Sequence, residues 1–357
     1  MNDLRLEKVT KRYGDLCAIL DFNLSVPKGE YLFILGPSGC GKSVLLRLIA
    51  GLEMPSSGAI YARDLRINEI PAHKRNIPVV FQNFGLFPHL PVRENIGYGL
   101  KIKGIDESKR RKKCDDLLEM LNISDMALKK PHQLSAGQRQ RVGLGRALAV
   151  DPAILLLDEP LGALDANLHI NMQFELKKIQ KELGVTFLQV THNHSDALAV
   201  ADRIVVMNRG SIEQVGTPSE IFSAPMTRFV AGILESNNIF DGKVIGKEGE
   251  SMIVDTQMGR FFVPVREAYP PLNADVTFVV RHDRLLINPS RLDANTFEAE
   301  FKGRTVQGSL AIYEFLSKDR SLKVETHLSA GLLSARPGDR FTLGWIPSHG
   351  HLLPLEN

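Results

Sequence analysis

At 357 residues the chain exceeds one ordinary domain and suits a large α/β domain plus a smaller one, each able to bury a core. Its hydrophobic and charged fractions, 43% and 24%, are those of a globular protein, and a formal net charge of +3 is too small to argue for a nucleic-acid groove. Three cysteines in no metal-type spacing, Cys17, Cys40 and Cys114, argue against a disulfide framework and for a reducing compartment, and no apolar run reaches the ~18 to 20 residues that cross a bilayer.

The polar start MNDLRLEK lacks the apolar core of a signal peptide, so a cytoplasmic location is expected, with other chains doing any spanning. From Leu4 to about Val26, short and partly alternating apolar runs predict strands of a half-buried antiparallel edge. Tyr31 to Leu35 reads as a buried strand, followed by a glycine-rich turn and a helical stretch from Val44 to Ala50. Further buried strands at Val79 to Phe81, Ile154 to Leu157, Thr186 to Val190 and Ile204 to Met207 alternate with helices near Gln138 to Ala149, Ala166 to Glu182 and Ser195 to Val200. That alternation implies a parallel sheet covered on both faces. The basic run Lys109 to Lys113 lies in a helical pattern with Cys114, Leu117, Leu118 and Leu121 and reads as a solvated helix face. After about Phe240 the pattern becomes short strands separated by Gly, Pro, Asn and Asp, which predicts a small all-β barrel or sandwich. The expected domains are 1–237, with a helical subdomain at about 88–150, and 238–357.

The motif G-x-x-x-x-G-K-[ST] is present as Gly36, Pro37, Ser38, Gly39, Cys40, Gly41, Lys42 and Ser43, between a buried strand and a helix. Its glycines let successive backbone N–H groups face a phosphate, and the helix N-terminus adds its dipole. Lys42 would reach the β/γ oxygens and Ser43 Oγ a Mg²⁺ ion, while the Cys40 side chain is a spectator placed by size. A second apolar strand ends in Asp158 and Glu159. If strand geometry persists, adjacent carboxylates point opposite ways. Asp158 would then serve the Mg²⁺ shell and Glu159 the attacking water. Leu134, Ser135, Ala136, Gly137 and Gln138 place a hydroxyl and a glycine amide at a helix start about 20 residues upstream, where N–H groups can meet an anion.

In this order and spacing the chain resembles the ATP-binding subunits of ABC transporters, of the importer type with a C-terminal regulatory barrel. The resemblance implies a P-loop NTPase fold with an antiparallel β edge and a helical subdomain, followed by a small OB-like all-β domain. It also assigns Tyr13 to stacking on adenine, Gln82 to sensing Mg²⁺ and water, the loop ending at Asp165 to the dimer seam, and His192 to the γ-phosphate. Ser135, Gly137 and Gln138 would close over the nucleotide of a second copy, giving an ATP-sandwich homodimer. The barrel match rests on Arg336 to Trp345.

Departures from the family pattern are Val44 where Thr is usual, which removes a hydroxyl contact to the α-phosphate, and Ala136 at the centre of the signature. Asn193 and His194 follow His192 where an acidic residue and Gln are usual, and Arg281, His282 and Asp283 replace Arg-Pro-Glu in the barrel. Phe84, Leu86, Phe87 and Leu90, soon after Gln82, are expected to be exposed and to form a partner surface, and the resemblance assigns this region to the groove that receives a coupling helix of an integral membrane permease. The protein would sit on the cytoplasmic face of the inner membrane and act indirectly with a substrate-binding protein. The stretches Gly216 to Phe222, Thr227 to Ala231 and Glu235 to Asn238 resemble the polyamine, ferric-iron and sugar importer branches alike, with a lean to polyamine-like cargo. The alternative class is a non-transport ABC ATPase of DNA maintenance or regulation, whose relatives carry coiled-coil or zinc insertions that this sequence lacks.

Overall fold

The computed structural model describes residues 1–162, 166–265, 269–290 and 295–355, and the chain divides into two units, Met1–Ser219 and Glu220–Asn357. In the first unit β1 (Asn2–Tyr13) and β2 (Leu16–Pro27) form an antiparallel hairpin. β3 (Tyr31–Leu35) follows, with all five residues buried, then α1 (Lys42–Ala50), β4 (Ser57–Ala62), β5 (Leu65–Arg66), α2 (Ala72–Arg75) and β6 (Val79–Val80). The stretch 92–148 is mostly helical, with α3 (Val92–Ile102), α4 (Glu107–Met120) and α5 (Ala136–Leu148). After it come β7 (Ile154–Asp158), α6 (Ala166–Leu183), β8 (Thr186–Thr191), α7 (His194–Val200), β9 (Arg203–Asn208) and β10 (Ser211–Gly216).

These strands make two sheets. The antiparallel one has the order β2-β1-β4-β5, and the larger one β10-β9-β3-β8-β7-β6. In the larger sheet β3 pairs in parallel with both β8 and β9, β7 with β8, and β6 with β7. A strand between two parallel neighbours and covered on both faces needs a continuous apolar run. Tyr-Leu-Phe-Ile-Leu in β3 and Ile-Leu-Leu-Leu in β7 supply it. Leu32, Ile34, Leu156, Leu188 and Val205 join Leu45, Leu48 and Ile49 of α1 in one buried cluster, each worth about 1.5–3 kcal/mol of burial. Arg75 ends α1: Nη1 donates to Leu48 O at 2.8 Å and Ile49 O at 3.0 Å, satisfying carbonyls that a helix end leaves without partners. On α4 the basic run faces outward, with Cys114, Leu117 and Leu118 buried beneath.

The second unit opens with α8 (Pro218–Ser223, its first two residues still in the first unit) and α9 (Arg228–Ile233). The sequence expectation put the boundary after 237, whereas these helices group with the β-rich part. The reason is local: Ala231 of α9 is buried against Val279 and Leu353, and Arg228 pairs with Asp241 at 2.6 Å. The strands are β11 (Asn237–Glu248), β12 (Ser251–Thr256), β13 (Gly259–Pro264), β14 (Asp275–Arg281), β15 (Leu286–Ile287), β16 (Asn295–Gln307), β17 (Leu310–Ser317), β18 (Arg320–His327), β19 (Arg340–Trp345) and β20 (His351–Leu352), with a short α10 (Ala330–Leu333). They form two five-stranded antiparallel sheets, β13-β12-β11-β14-β20 and β15-β19-β16-β17-β18, so that beyond α9 the unit is almost entirely β and OB-like. Its core stacks Phe240 on Phe278 at 5.0 Å and sets Phe261 against Trp345 at 4.7 Å. Strand β17, not singled out from the sequence, buries Ala311, Tyr313 and Phe315 on alternate positions.

Candidate nucleotide site

Parallel pairing brings four strand ends to one edge of the sheet. Leu35 pairs with Thr191, Asp158 with Val190, and Val80 with Leu157. The residues just beyond, Gly36, His192, Glu159 and Gln82, therefore leave the sheet side by side, the place where open α/β sheets bind ligands.

Gly36 follows β3 and Gly41 precedes α1. Gly41 has φ +108, and a Cβ there would lie 2.5 Å from Ala18 O; a Cβ on Gly36 would lie 2.5 Å from Met207 O. Both positions admit hydrogen only. Between them Pro37, Ser38 and Gly39 are exposed while Cys40 is buried, its thiol pushed up by burial and its carbonyl accepting from Gly210 N at 2.9 Å. The Cys40 thiol is thus a packing group. Lys42 is 6% exposed, and its Nζ donates to Gly36 O at 2.8 Å and Pro37 O at 2.9 Å, which holds the ammonium over the loop. α1 has no side-chain cap, so its first N–H groups are available to an anion. Val44 is half-buried against the core of this unit.

Ser43 Oγ donates to Asp158 Oδ1 at 3.4 Å. Burial, and then the charge of Glu159, hold the Asp158 carboxyl above its ordinary range, opposed by the Ser43 hydrogen bond, Arg47 and Lys42. Strand geometry does not persist past Asp158: Glu159 has φ +47, and its N–H donates to Val190 O at 3.2 Å. The two carboxylates separate at this kink, and Glu159 Oε1 lies 2.9 Å from His192 Nδ1. Gln82 is exposed, its amide nitrogen 3.4 Å from where a Cβ on Gly162 would stand. Asp165 lies outside the described residues.

Tyr13 closes β1 opposite Leu16, on the hairpin that passes Gly41 at Ala18. Its ring is 44% exposed, with Lys11 Nζ 4.8 Å from the centroid and its hydroxyl bonded to Glu53. Ser135 caps α5: Gln138 N donates to Ser135 Oγ at 3.3 Å, and Ser135 N to Gln138 Oε1 at 2.9 Å, a reciprocal capping box. Gly137 is buried, and a Cβ there would come within 2.9 Å of a Leu168 methyl. Among the described residues no hydrogen bond joins Ser135, Gly137 or Gln138 to the phosphate loop of the same chain.

One expectation fails. Phe84 is 5% exposed, not an open docking side chain. It has φ +60, its Cβ packs near Gly143 of α5, and its carbonyl accepts from Arg146 Nη2 at 2.8 Å. Leu86, Phe87 and Leu90 are half-buried, and Phe81 and Tyr98 contribute 39% and 36% exposed rings nearby. The loop is organised by Asn95, fully buried, which accepts from Phe87 N at 2.8 Å and donates to Leu90 O at 2.9 Å. Neither Asn95 nor Arg146 was singled out from the sequence; a polar residue on the inward face of a helix is the one signal either offers.

Residues 19–162 match the family model described as ABC transporter. The spermidine/putrescine import ATP-binding protein PotA of Acidothermus cellulolyticus is 41% identical over 96% of this chain and 91% of its own length, and that of Thermobifida fusca is 38% identical over 98% and 93%. Among solved structures, a dimeric post-hydrolysis state of the ATP-binding cassette MJ0796 bound to ADP and Pi is 34% identical, with a TM-score of 0.54, covering 60% of this chain and 98% of that one. CbiO1 of Clostridium perfringens, part of the ABC transporter complex cbiONQ, is 30% identical with a TM-score of 0.58, over 62% and 91%. Because the curated relatives match through both units rather than through the phosphate loop alone, the chain belongs to the ABC transporter family as an ATP-hydrolysing subunit of the importer type.

Proposed function

We propose that the protein powers a polyamine importer, hydrolysing ATP at sites shared between two copies of itself while bound to membrane permeases on the cytoplasmic face. The observation that carries the ATPase assignment is the convergence of Lys42, Ser43, Asp158, Glu159 and His192 on one sheet edge. Polyamine cargo is supported by the names of the relatives that match nearly the whole chain. Among the described residues no helix is long and apolar enough to cross a membrane, which fits a peripheral subunit.

In this reading Lys42 and the loop amides of Gly36 to Ser43 bind the phosphates, and Tyr13 offers a ring face to the purine. Glu159 orients the attacking water and His192 contacts the γ-phosphate. Ser43, Asp158 and Gln82 carry the hard oxygen donors that would hold Mg²⁺, and the ion would supply positive charge against the phosphates. Ser135, Gly137 and Gln138 start a separate helix, and the dimeric neighbour supports their serving the nucleotide of the second copy. Gln82 to Leu90 would meet the permease through the half-buried Leu86, Phe87 and Leu90. Reconstituted with its permeases and binding protein, the complex is expected to raise its ATPase rate when the binding protein carries spermidine or putrescine. Stimulation by a sugar or ferric iron instead would overturn the cargo assignment.

A further inference from the structure

Glu159 and His192 meet at 2.9 Å, but their side chains are 25% and 60% exposed, and an exposed pair of this kind does little to hold its own geometry. A partly open cavity of about 200 Å³ borders both residues, lined by Glu159, His192, Gln189, His169 and Asp196 among others, so the pair is not enclosed by packing on that side.

A buried polar knot shares the same cavity. Asp196 is 3% exposed, and its Oδ1 accepts from Gln173 Nε2 at 2.5 Å and lies 2.7 Å from His169 Nε2. His169 and Gln173 stand on one face of α6, four residues apart. Asp196 is in the first turn of α7, which starts at His194 directly after the segment bearing His192. α6 in turn starts at Ala166, soon after the Glu159–Gly162 turn. The knot therefore joins the element that follows Glu159 to the element that follows His192. A buried carboxylate with two donors tolerates little displacement, since a lost partner leaves it desolvated and unpaired.

We propose that Asp196 is a positioning residue for ATP hydrolysis: by tying α7 to His169 and Gln173 of α6, it sets where His192 stands relative to Glu159. The inference rests on Glu159 and His192 acting at the γ-phosphate.

The test uses the full-length chain assembled with its membrane subunits, measuring ATP affinity, KM and kcat. Asp196→Ala is expected to lower kcat about tenfold or more while ATP affinity stays within about twofold, as misplacement of reacting groups does. Asp196→Asn keeps an acceptor oxygen for both donors and restores most of the turnover. His169 is 19% exposed at its side chain, so His169→Ala probes the same tie with less risk to folding; it should show the same kcat-selective loss, recovered in His169→Gln. Full turnover in both alanine variants overturns the proposal, as does a parallel fall of kcat and ATP affinity, or no recovery in the conservative variants. Glu159→Gln is measured alongside: if it hydrolyses ATP normally, the role of Glu159 falls, whereas an inactive Glu159→Gln beside a fully active Asp196→Ala sinks the positioning role alone.

Discussion

At the residue scale the site depends on one strained backbone position. Glu159 adopts φ +47, a left-handed conformation that costs a non-glycine residue about 1–2 kcal/mol. The kink sends Asp158 to Ser43 and Glu159 to His192, so two adjacent carboxylates take separate partners. Glu159→Gln preserves size and a hydrogen-bonding side chain but removes the basic oxygen. It is expected to bind ATP normally and to slow phosphate release by about 10²–10⁴-fold, the range for loss of a positioned base; release within about tenfold of wild type in a single-turnover assay would rule it out as that base. Motif and spacing single out Lys42, Ser43, Asp158 and Glu159 in the sequence, and the structure brings them to one sheet edge. The kink was not legible. Alternation along a strand gives opposite faces for Asp158 and Glu159, and nothing in the residue letters marks the left-handed backbone at Glu159.

At the scale of elements, the run Asn83 to Leu90 shows why apolar loop residues are ambiguous in sequence. Phe84, Leu86, Phe87 and Leu90 look alike, yet Asn95 and Arg146 fold the loop so that Phe84 turns inward and Phe87 stays at the surface, its ring 4.3 Å from that of Tyr98. Contacts between residues 62 positions apart, such as Arg146 to Phe84, leave no local pattern. Phe84→Ala is expected to destabilise the first unit by about 3–5 kcal/mol, as loss of a buried aromatic does, while Phe87→Ala, half-exposed, costs clearly less. Urea unfolding measures both, and an unchanged midpoint for Phe84→Ala would return Phe84 to the docking surface. The parallel strands were legible because burial on both faces demands unbroken apolar runs. The antiparallel β17 lacks such a run: Glu314 interrupts it, and its only signal is the alternation of its inward residues.

At the scale of the whole molecule, each unit has a core of its own, so each carries its own stability. The chain has one tryptophan, Trp345, fully buried in the second unit, and its fluorescence reports that unit alone. His282 there is 6% exposed, and burial, followed by the charge of Lys323, lowers its pKa to about 4. The native state thus keeps the ring neutral, while the unfolded chain takes up a proton below about pH 6.5. Unfolding therefore binds a proton, and stability falls as pH drops from about 6.5 to about 4, by on the order of 3 kcal/mol in total. Asp241, held down to about 2 by hydrogen bonds from Arg228, Arg320 and Thr277 that outweigh its burial, titrates below this window. Melts followed at Trp345 should lose stability between pH 7 and 4.5 in the wild type and much less in His282→Gln; equal slopes would contradict the assignment. The division after Ser219 was less legible than either core, because α9 belongs to the second unit through tertiary contacts at Ala231 and Arg228 that its own sequence does not announce.

In the proposed function, the phosphate loop and the helix start at Ser135 complete one site only when two copies meet. The direct measurement mixes two chains in a background without Cys17, Cys40 and Cys114, also carrying Glu159→Gln: one chain bears Ser38→Cys and the other Ser135→Cys. Neither chain can crosslink to itself. ATP is predicted to produce a disulfide between the two chains under mild oxidation, with little formed without nucleotide. If mixing with ATP yields no crosslink, while a single chain carrying both cysteines closes on itself, the shared-site account is wrong.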